Sequence, residues 1–345
     1  MDLIVLRADG LYCPAGDFHI DPWRPVERAV LTHAHADHAR AGSATYVATD
    51  ASREVLRARL PGIRLDTLRY GERVTHNGVA VSLHPAGHVL GSAQVRVEHR
   101  GEVWVVSGDY KLAADPTCTP FEPIRCDAYV TESTFGLPIY RWRETAAAID
   151  DIGAWWQRNA DAERTSVLYC YAFGKAQRIA AELQAAGALS TGTLACHGAM
   201  MSLNSAYRAS GVSLPEMRHA SEMDRNALRR ALVLAPPSAA GTPWLRRFGD
   251  FADAFASGWM QVRGARRRRA LDRGFILSDH ADWPGLNAAI EATRARRVIV
   301  THGQVQVMVR WLTERGIDAE GFATEFAAEG EPESAATPDS ATPPG

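Results

Sequence analysis

Residue types that bind metals concentrate in one short stretch of the sequence. His33, His35, Asp37 and His38 fall within six residues, directly after the apolar run 29–31, in a chain that has only 12 histidines. A strand points alternate side chains to opposite faces, whereas a loop can direct all four towards one point. Imidazole is the commonest metal ligand, and a nearby carboxylate suits a second, harder metal site. The stretch therefore predicts a metal site on a loop, and the alternative is a solvated turn with chance histidines.

Further candidate residues follow other predicted strands. Strand-like apolar runs lead into Asp21, His88, Asp109 and Glu132, repeating the relation between the run 29–31 and the histidine loop. Side chains at the ends of neighbouring strands meet along one edge of a sheet. We therefore expect these residues to share a rim with the histidine loop.

Composition narrows the class of protein. Hydrophobic residues make up 46% and charged residues 23% of the 345 residues, which is ordinary for a soluble globular protein. The formal net charge of −2 gives no global basic field, so any nucleic-acid surface must be local. No run suits a membrane span and no signal-peptide pattern begins the chain, which predicts a cytoplasmic location. The five cysteines form no CxxC pair and are predicted to be free thiols, and only two basic residues, Lys111 and Lys175, are lysines.

The order of predicted elements indicates one domain inserted into another. Residues 135–274 alternate between strands and helices, which is typical of a parallel sheet with flanking helices. The run Phe275–Ser278 is predicted as a strand that leads into Asp279 and His280, and a later strand ends at His302. This predicts a first domain of residues 1–134 and 275–328, an inserted domain of residues 135–274, and a disordered tail at 329–345 that is rich in Pro, Ala, Ser and Thr.

Several of these residues resemble the motifs of one known superfamily. The HxHxDH run, a later histidine and a later aspartate resemble the signature of the metallo-β-lactamase superfamily, with these residues: His33, His35, Asp37, His38, His88 and Asp109. Glu132 in TEST, His280 in SDHAD and His302 in THG are similar to motifs A, B and C of its β-CASP nuclease branch. The resemblance implies an α/β fold, a metallo-β-lactamase αββα sandwich with an inserted β-CASP domain.

Within that branch, the chain most resembles the bacterial ligase-associated DNA exonucleases. The similarity is carried by the stretches 11–14 and 21–23 and by the overall length, and the segment 173–178 resembles a β-CASP strand-to-helix turn. This implies a nuclease that acts on DNA, with RNA as the other possible nucleic acid, in DNA repair. The implied partners are a DNA ligase and a helicase.

The resemblance also implies a role for each motif residue. One metal ion would be bound by His33, His35 and His88, a second by Asp37, His38 and His302, and both by Asp109. Two divalent ions, Zn²⁺ or Mn²⁺, can activate water and neutralise a phosphate. The implied catalytic residues are Asp37, His280 as general acid, Glu132 as its partner, and Asp21 as the residue that orients the histidine loop.

Some of these residues have structural alternatives. Asp21 precedes a proline and could shape a turn, Glu132 could neighbour a helix cap, and His280 could be a surface histidine. Gly174, Lys175 and Arg178 are predicted to bind substrate phosphate at a helix N-terminus, against an ordinary glycine turn with a solvated lysine. The run Arg263–Arg273, with six Arg and one Asp, predicts a nucleic-acid contact or a solvated loop.

Three other functions remain open at the sequence level. An RNA-processing nuclease of the same branch is favoured by His302, because β-CASP enzymes that act on RNA usually have histidine at motif C. A small-molecule metallohydrolase would use the same metals but would not need the inserted domain. A binding module without metals would require a lost ligand, and every ligand of the pattern is present.

Overall fold

The computed structural model describes residues 2–262 and 272–326. Its strands are, in chain order, β1 (Val5–Arg7), β2 (Gly10–Cys13), β3 (Phe18–Ile20), β4 (Arg28–Val30), β5 (Thr45–Thr49), β6 (Leu65–Leu68), β7 (Arg73–His76), β8 (Val79–Pro85), β9 (Ala93–His99), β10 (Glu102–Val106), β11 (Ala128–Ser133), β12 (Thr165–Tyr169), β13 (Leu194–Cys196), β14 (Arg218–His219), β15 (Leu232–Ala235), β16 (Phe251–Ala256), β17 (Arg273–Phe275), β18 (Arg297–Gly303) and β19 (Asp318–Gly321). The α-helices are α1 (Arg53–Arg59), α2 (Thr145–Asp161), α3 (Lys175–Ala185), α4 (Met201–Ala209), α5 (Arg225–Leu228), α6 (Trp283–Thr293) and α7 (Val305–Glu314). Within this part of the chain, we find no helix whose length and apolar character would let it cross a bilayer.

The first sheet carries the histidine loop. Its strands lie in the order β1-β2-β3-β4-β5-β6, with antiparallel pairing from β1 to β3 and parallel pairing from β3 to β6. Because β3, β4 and β5 are parallel, the segments that follow β3 and β4 leave from the same edge of the sheet. Asp21 follows β3 and the histidine loop follows β4, which brings them together.

The second sheet has the order β19-β18-β11-β10-β9-β8-β7. Strands β9 and β10 form an antiparallel hairpin, and its turn residues Arg100 and Gly101 have φ angles of 53° and 86°, as a tight hairpin turn with matching twist requires. The central strands β11 and β18 are parallel, and each carries an uninterrupted apolar run, 128–130 and 298–300, because both faces of this part of the sheet are buried.

The first two sheets pack face to face, and helices cover the outer face of the second. Trp104 and Val106 of β10 pack with first-sheet residues such as Phe18, whereas Val105 packs on the opposite side with Leu286 of α6. This alternation is the period of two that a strand imposes on its side chains. Strand β10 therefore lies between the first sheet on one face and α6 on the other.

The third sheet consists of β14-β13-β15-β12-β16-β17, and every pair in it is parallel, as the sequence predicts. Leu168 belongs to a core cluster with Trp156 of α2 and Ile179 of α3, whereas Val167 and Tyr169 face a separate cluster. Both faces of β12 are therefore buried, which explains its uninterrupted apolar character. The segment between β12 and α3 lies beside the histidine loop, since the Phe173 carbonyl is 3.3 Å from His35 Nε2.

The predicted fold class is confirmed. The molecule is a mixed α/β structure with several sheets and flanking helices, consistent with a metallo-β-lactamase sandwich that carries a β-CASP insert. The predicted domain boundaries stay a prediction, and the boundary between residues 274 and 275 falls inside β17, which pairs with β16.

The strand predicted at Phe275–Ser278 is wrong. The strand ends at Phe275, and residues 276–282 belong to neither a strand nor a helix. Backbone groups after Phe275 find other partners: Arg178 donates to the Ser278 carbonyl at 2.8 Å, and the Ala281 N–H donates to the Tyr110 carbonyl at 2.7 Å. Apolar side chains alone could not reveal this, because a buried loop with satisfied backbone groups reads like a strand.

Candidate metal centre

The carboxylate of Asp21 anchors the histidine loop through three hydrogen bonds. Its carboxylate accepts hydrogen bonds from the Thr32 N–H at 2.7 Å, from the Thr32 hydroxyl and from His38 Nδ1 at 2.7 Å. The backbone of Asp21 has a φ of 45°, a left-handed conformation that aspartate adopts more readily than most residues. Burial raises the pKa of Asp21, although His38 and Thr32 oppose the rise. The structure therefore places Asp21 where it can orient the loop.

Each histidine of the cluster has one ring nitrogen engaged by an outer partner. Four rings use Nδ1, with these partners and distances: His33 with Thr32 Oγ1 (3.0 Å), His38 with Asp21 Oδ2 (2.7 Å), His88 with the Asp279 carbonyl (2.6 Å) and His302 with Thr301 Oγ1 (3.0 Å). His35 instead uses Nε2, which lies 3.3 Å from the Phe173 carbonyl. Metal-bound imidazoles are typically held this way, because the outer hydrogen bond sets the tautomer and ring orientation. The other nitrogen of each ring is then the one with a lone pair for a metal.

Asp109 lies at the centre of these nitrogen atoms. Its Oδ2 is 3.5 Å from His33 Nε2, 3.6 Å from His38 Nε2 and 3.7 Å from His88 Nε2. Its Oδ1 is 3.2 Å from His302 Nε2. Burial disfavours the charged carboxylate, but His38 and the neighbouring histidines hold the pKa of Asp109 well below its usual range. One ionised carboxylate thus faces three imidazoles with one oxygen and a fourth with the other, as a bridging ligand would.

The donor atoms of this cluster fit a divalent cation. One ligand atom from each of His33, His35, His88 and Asp109 lies within 4.8 Å of the others. The buried Nε2 atoms of His33 and His38 have no hydrogen-bond partner among the described residues. A buried polar atom without a partner is unfavourable, and a bound metal would satisfy both nitrogens. Imidazole with carboxylate suits zinc and also accepts manganese.

The other predicted ligands lie beside this group. Asp37 Oδ2 is 3.5 Å from His38 Nε2, and the Asp37 side chain keeps 22% of its surface exposed. Asp109, Glu132 and His302 form a second group whose ligand atoms lie within 4.8 Å of one another. Burial lowers the pKa of His38, but the surrounding aspartates, Asp37 foremost, outweigh it and raise that pKa to about 10. The structure therefore brings all seven predicted ligands into one cluster that attracts cations.

Glu132 and His280 form a buried pair beside the cluster. His280 Nδ1 lies 2.8 Å and 3.0 Å from the two carboxylate oxygens of Glu132, which also accepts hydrogen bonds from the Tyr110 N–H at 2.8 Å and the Thr134 hydroxyl at 2.5 Å. The His280 ring centroid is 4.7 Å from that of His88. The side chain of His280 is 9% exposed, so it is not an ordinary surface histidine.

Glu132 owes its direction to an irregularity in the sheet. It lies inside β11 and not after it, so the alternative of a helix-cap neighbour is wrong. The ladder between β11 and β18 shifts register between Thr131 and Ser133. Such a bulge re-aims the side chain at the irregularity, here towards His280.

The structure buries Gly174, Lys175 and Arg178, which the sequence predicts as substrate contacts. Gly174 precedes α3 as predicted, but its N–H donates to Gln177 Oε1 at 2.9 Å, and a Cβ there would lie 2.3 Å from Val89 Cγ1. Lys175 and Arg178 are 0% and 1% exposed. Both side chains are shielded from solvent, so the alternative of a solvated lysine is wrong, and the substrate contact stays a prediction.

These two cations belong to a second buried cluster, the ion network, which consists of Lys111, Asp115, Lys175, Arg178 and Asp279. Lys111 Nζ lies 2.7 Å from Asp115 Oδ2, and Lys175 Nζ lies 3.5 Å from Asp279 Oδ2. Arg178 approaches Asp115 at 3.6 Å and Asp279 at 3.4 Å. Burial opposes ionisation of both carboxyls, but the cations outweigh it: Lys111 and Arg178 lower the pKa of Asp115, and all three cations lower the pKa of Asp279. Both lysines of the chain are in this network.

Sequence reasoning missed three residues at the centre. Asp279 adjoins His280 in the SDHAD stretch. The only sequence feature that pointed to its contact with Lys175 was that the chain has just two lysines. Thr32 connects Asp21 to His33 and could have been noticed as the residue before the histidine motif. Phe326 stacks on His38 with ring centroids 4.4 Å apart and an interplanar angle of 6°, and no pattern in the sequence pointed to it.

Two predictions concern residues outside the described part of the chain. Of the run Arg263–Arg273, the structure describes only residues 272 and 273. The tail predicted to be disordered, residues 329–345, also lies outside the described residues.

Comparison with known proteins gives one long similarity and several short ones. The sequence is 32% identical over 322 residues to a probable DNA ligase of Opitutus terrae, which covers 90% of this chain and 30% of that protein. It is 33% identical over 82 residues to cleavage and polyadenylation specificity factor subunit 3 of Dictyostelium discoideum, and 34% identical over 76 residues to the endoribonuclease ysh1 of Aspergillus fumigatus. These two matches cover 23% and 21% of this chain, and 11% and 9% of the relatives.

The chain therefore spans less than a third of the length of these relatives. No family model matches the sequence. Among solved structures, a protein of unknown function from Enterococcus faecalis V583 is similar with a TM-score of 0.55 and 12% identity, over 86% of this chain and 79% of that one. At that identity the likeness concerns the fold alone.

Proposed function

We propose that this chain is a metal-dependent nuclease that hydrolyses phosphodiester bonds in DNA. The proposal proceeds from the β-CASP branch of the metallo-β-lactamase superfamily, which the relatives and the fold support for this chain. The observation that carries the proposal is the arrangement around Asp109, where five imidazoles are each held by an outer partner. The pair of Glu132 and His280 lies beside it. A small-molecule hydrolase would use the metals but has no evident need for this buried pair.

The imidazoles and carboxylates have distinct tasks in this proposal. His33, His35 and His88 would hold one ion and Asp37, His38 and His302 the other, with Asp109 between them. Two divalent ions at such a site lower the pKa of a bound water and neutralise charge on the phosphoryl oxygens. Asp21 and the other outer partners fix the rings, so that no reorganisation is needed when substrate binds.

His280 is proposed as the general acid. Phosphodiester hydrolysis forms a bond from phosphorus to the attacking oxygen and breaks the bond to the leaving oxygen, which needs a proton. The Nδ1–H of His280 donates to Glu132, so the proton would be delivered from Nε2. The Glu132 carboxylate stabilises the protonated imidazole before transfer and keeps the ring oriented. A buried charged acceptor makes that hydrogen bond stronger than a neutral one.

DNA is the favoured substrate because a relative that matches 90% of the chain is named a probable DNA ligase. Because this chain matches 30% of a protein named a probable DNA ligase, we propose that it acts on ends that are later joined, and so has a repair role beside a ligase. The second candidate is an RNA nuclease, which is favoured by the shorter matches to endoribonucleases and by His302 at motif C.

The two candidates separate in one assay. Purified protein, prepared free of metal and reloaded with Mn²⁺ or Zn²⁺, is given single-stranded and duplex DNA and RNA of the same sequence with labelled 5′ or 3′ ends. We expect metal-dependent cleavage of DNA, and the position of the label defines the polarity. His76→Ala, which lies in β7 away from the cluster, serves as the matched histidine control. Cleavage of RNA alone would assign the second function, and equal cleavage in excess chelator would refute both.

A further inference from the structure

The ion network and the metal centre meet at Asp279. The backbone carbonyl of Asp279 accepts the hydrogen bond from His88 Nδ1 at 2.6 Å. Its side chain is held on both oxygens, by Lys175 at 3.5 Å from Oδ2 and by Arg178 at 3.4 Å from Oδ1. Arg178 also donates to the carbonyl of Ser278 at 2.8 Å. The same short peptide thus contacts a candidate metal ligand with its backbone and the network with its side chain.

The segment that contains Asp279 belongs to no sheet or helix. Residues 276–282 lie between β17 and α6 and pair with no strand. The contacts of Lys175 and Arg178 replace a ladder of backbone hydrogen bonds, and both residues lie on α3, one turn apart. Because α3 follows β12 of the third sheet, the third sheet reaches the metal centre through these two side chains.

Stability alone is a poor explanation for the network. Three cations and two carboxylates with at most 8% exposure each lose hydration, and such buried pairs are often no more stabilising than apolar residues of similar size. A positioning role explains what an apolar replacement could not supply. Directed charges can hold both oxygens of one aspartate and so set the orientation of its peptide.

We propose that Lys175 and Arg178 are positioning residues of the metal centre, which hold Asp279 so that its carbonyl fixes the ring of His88 and the following residue, His280, reaches Glu132. The proposal rests on the metal binding proposed above and adds that the third sheet controls the affinity and geometry of the ion bound by His88. Loss of an outer partner of a metal-bound histidine typically weakens metal binding by about 10- to 100-fold. Lys175 acts through Asp279, so we expect the lower end, about 10-fold.

The experiment titrates Co²⁺ into metal-free protein. The visible absorption of Co²⁺ depends on the number and geometry of its ligands, and a chelator competition gives the affinity. The test variant is Lys175→Met. The control is Arg297→Met, which removes a charge that pairs with Asp2 and Glu320 at the start of β18, outside the ion network. Thermal unfolding of both metal-free variants measures the loss of stability that is common to them.

We expect both variants to lose stability, and only Lys175→Met to bind Co²⁺ about 10-fold more weakly with a shifted spectrum. An unchanged spectrum and affinity in folded Lys175→Met overturns the positioning role. If the single variant does not fold, Lys175→Met with Asp279→Asn removes both charges together. A wild-type spectrum in that double variant overturns the role, and an altered one supports it. Wild-type protein that binds no Co²⁺ overturns the proposed metal centre itself, which is a separate result from the comparison of variants.

Discussion

The two buried polar clusters of this molecule differ in how their charges are compensated. In the ion network each cation lies within 4 Å of a carboxylate, as Lys111 does with Asp115 at 2.7 Å. In the metal centre, buried imidazole nitrogens such as His33 Nε2 and His38 Nε2 lack a hydrogen-bond partner among the described residues. Arg178 Nε of the ion network also lacks a hydrogen-bond partner in the described part of the chain, but a guanidinium nitrogen has no lone pair to offer a metal, whereas an imidazole nitrogen does. The chemistry of these atoms therefore favours a structural role for the ion network and a cation site at the histidines.

The same contrast separates two uses of lysine and histidine. A charged lysine has only donors, so a carboxylate stabilises it when it is buried, and the lysine can then hold that carboxylate in place. Neutral histidine has one donor and one acceptor nitrogen, so it can be fixed from outside and still bind a metal. Asp279 meets both kinds of residue: its carboxylate lies near Lys175, and its backbone carbonyl accepts a hydrogen bond from His88 Nδ1.

The largest effect on activity is expected from a substitution within the metal centre. Asp109→Asn keeps the size of the side chain but removes the charge that faces four imidazoles. We expect loss of bound metal and a fall in nuclease activity on the order of 10⁴-fold, the upper end of what one catalytic group contributes. Metal content by elemental analysis and DNA cleavage measure the two effects. Two tightly bound ions in active Asp109→Asn protein would contradict the bridging role.

The next effect concerns the ion network. Lys111→Met leaves the buried carboxylate of Asp115 without its nearest cation, and breaking a buried pair from one side costs about 3–5 kcal/mol of unfolding free energy. Because this network binds no metal, the loss should be the same with saturating Zn²⁺ as with chelator. Urea unfolding in both conditions measures it. A loss that disappears when metal is added would show that the two clusters are not distinct.

A third prediction separates catalysis from metal binding within the centre. His280→Ala should retain both ions but lose roughly 10²–10³-fold in cleavage rate, because its imidazole pairs with Glu132 and not with Asp109. A DNA substrate with a leaving group that needs no proton should restore much of the rate. If metal content falls together with the rate, His280 is a ligand and the proposed general acid is wrong.

The smallest effect is expected at the rim of the centre. Phe326→Ala removes the ring that stacks on His38 at 4.4 Å and also contacts His302 at 5.5 Å. Aromatic pairs of this kind are worth about 0.5–1.5 kcal/mol, so metal affinity should fall by roughly 2- to 12-fold. Isothermal titration with Mn²⁺ measures the change. Tyr70→Phe, which removes only a hydroxyl that donates to the Ser92 carbonyl, should leave that affinity unaltered.

Much of the fold could be read from local patterns. The β9–β10 hairpin follows from alternating residues and a turn that tolerates positive φ, and the parallel third sheet follows from apolar runs that alternate with helices. The strand at Phe275–Ser278 could not be read correctly, because its backbone partners, Arg178 and Tyr110, come from distant parts of the chain. An apolar run shows that a segment is buried, but not what its backbone bonds to.

The sequence by itself predicted the ligand set, because a metal site needs particular donor atoms and His33, His35, Asp37 and His38 supply them within one loop. Only the tertiary structure decided what Lys175 and Arg178 do. Whether a cation meets water, a phosphate or a carboxylate depends on contacts across about a hundred residues, here between α3 and Asp279. Donor chemistry is a property of the residue, whereas burial and pairing are properties of the packed molecule.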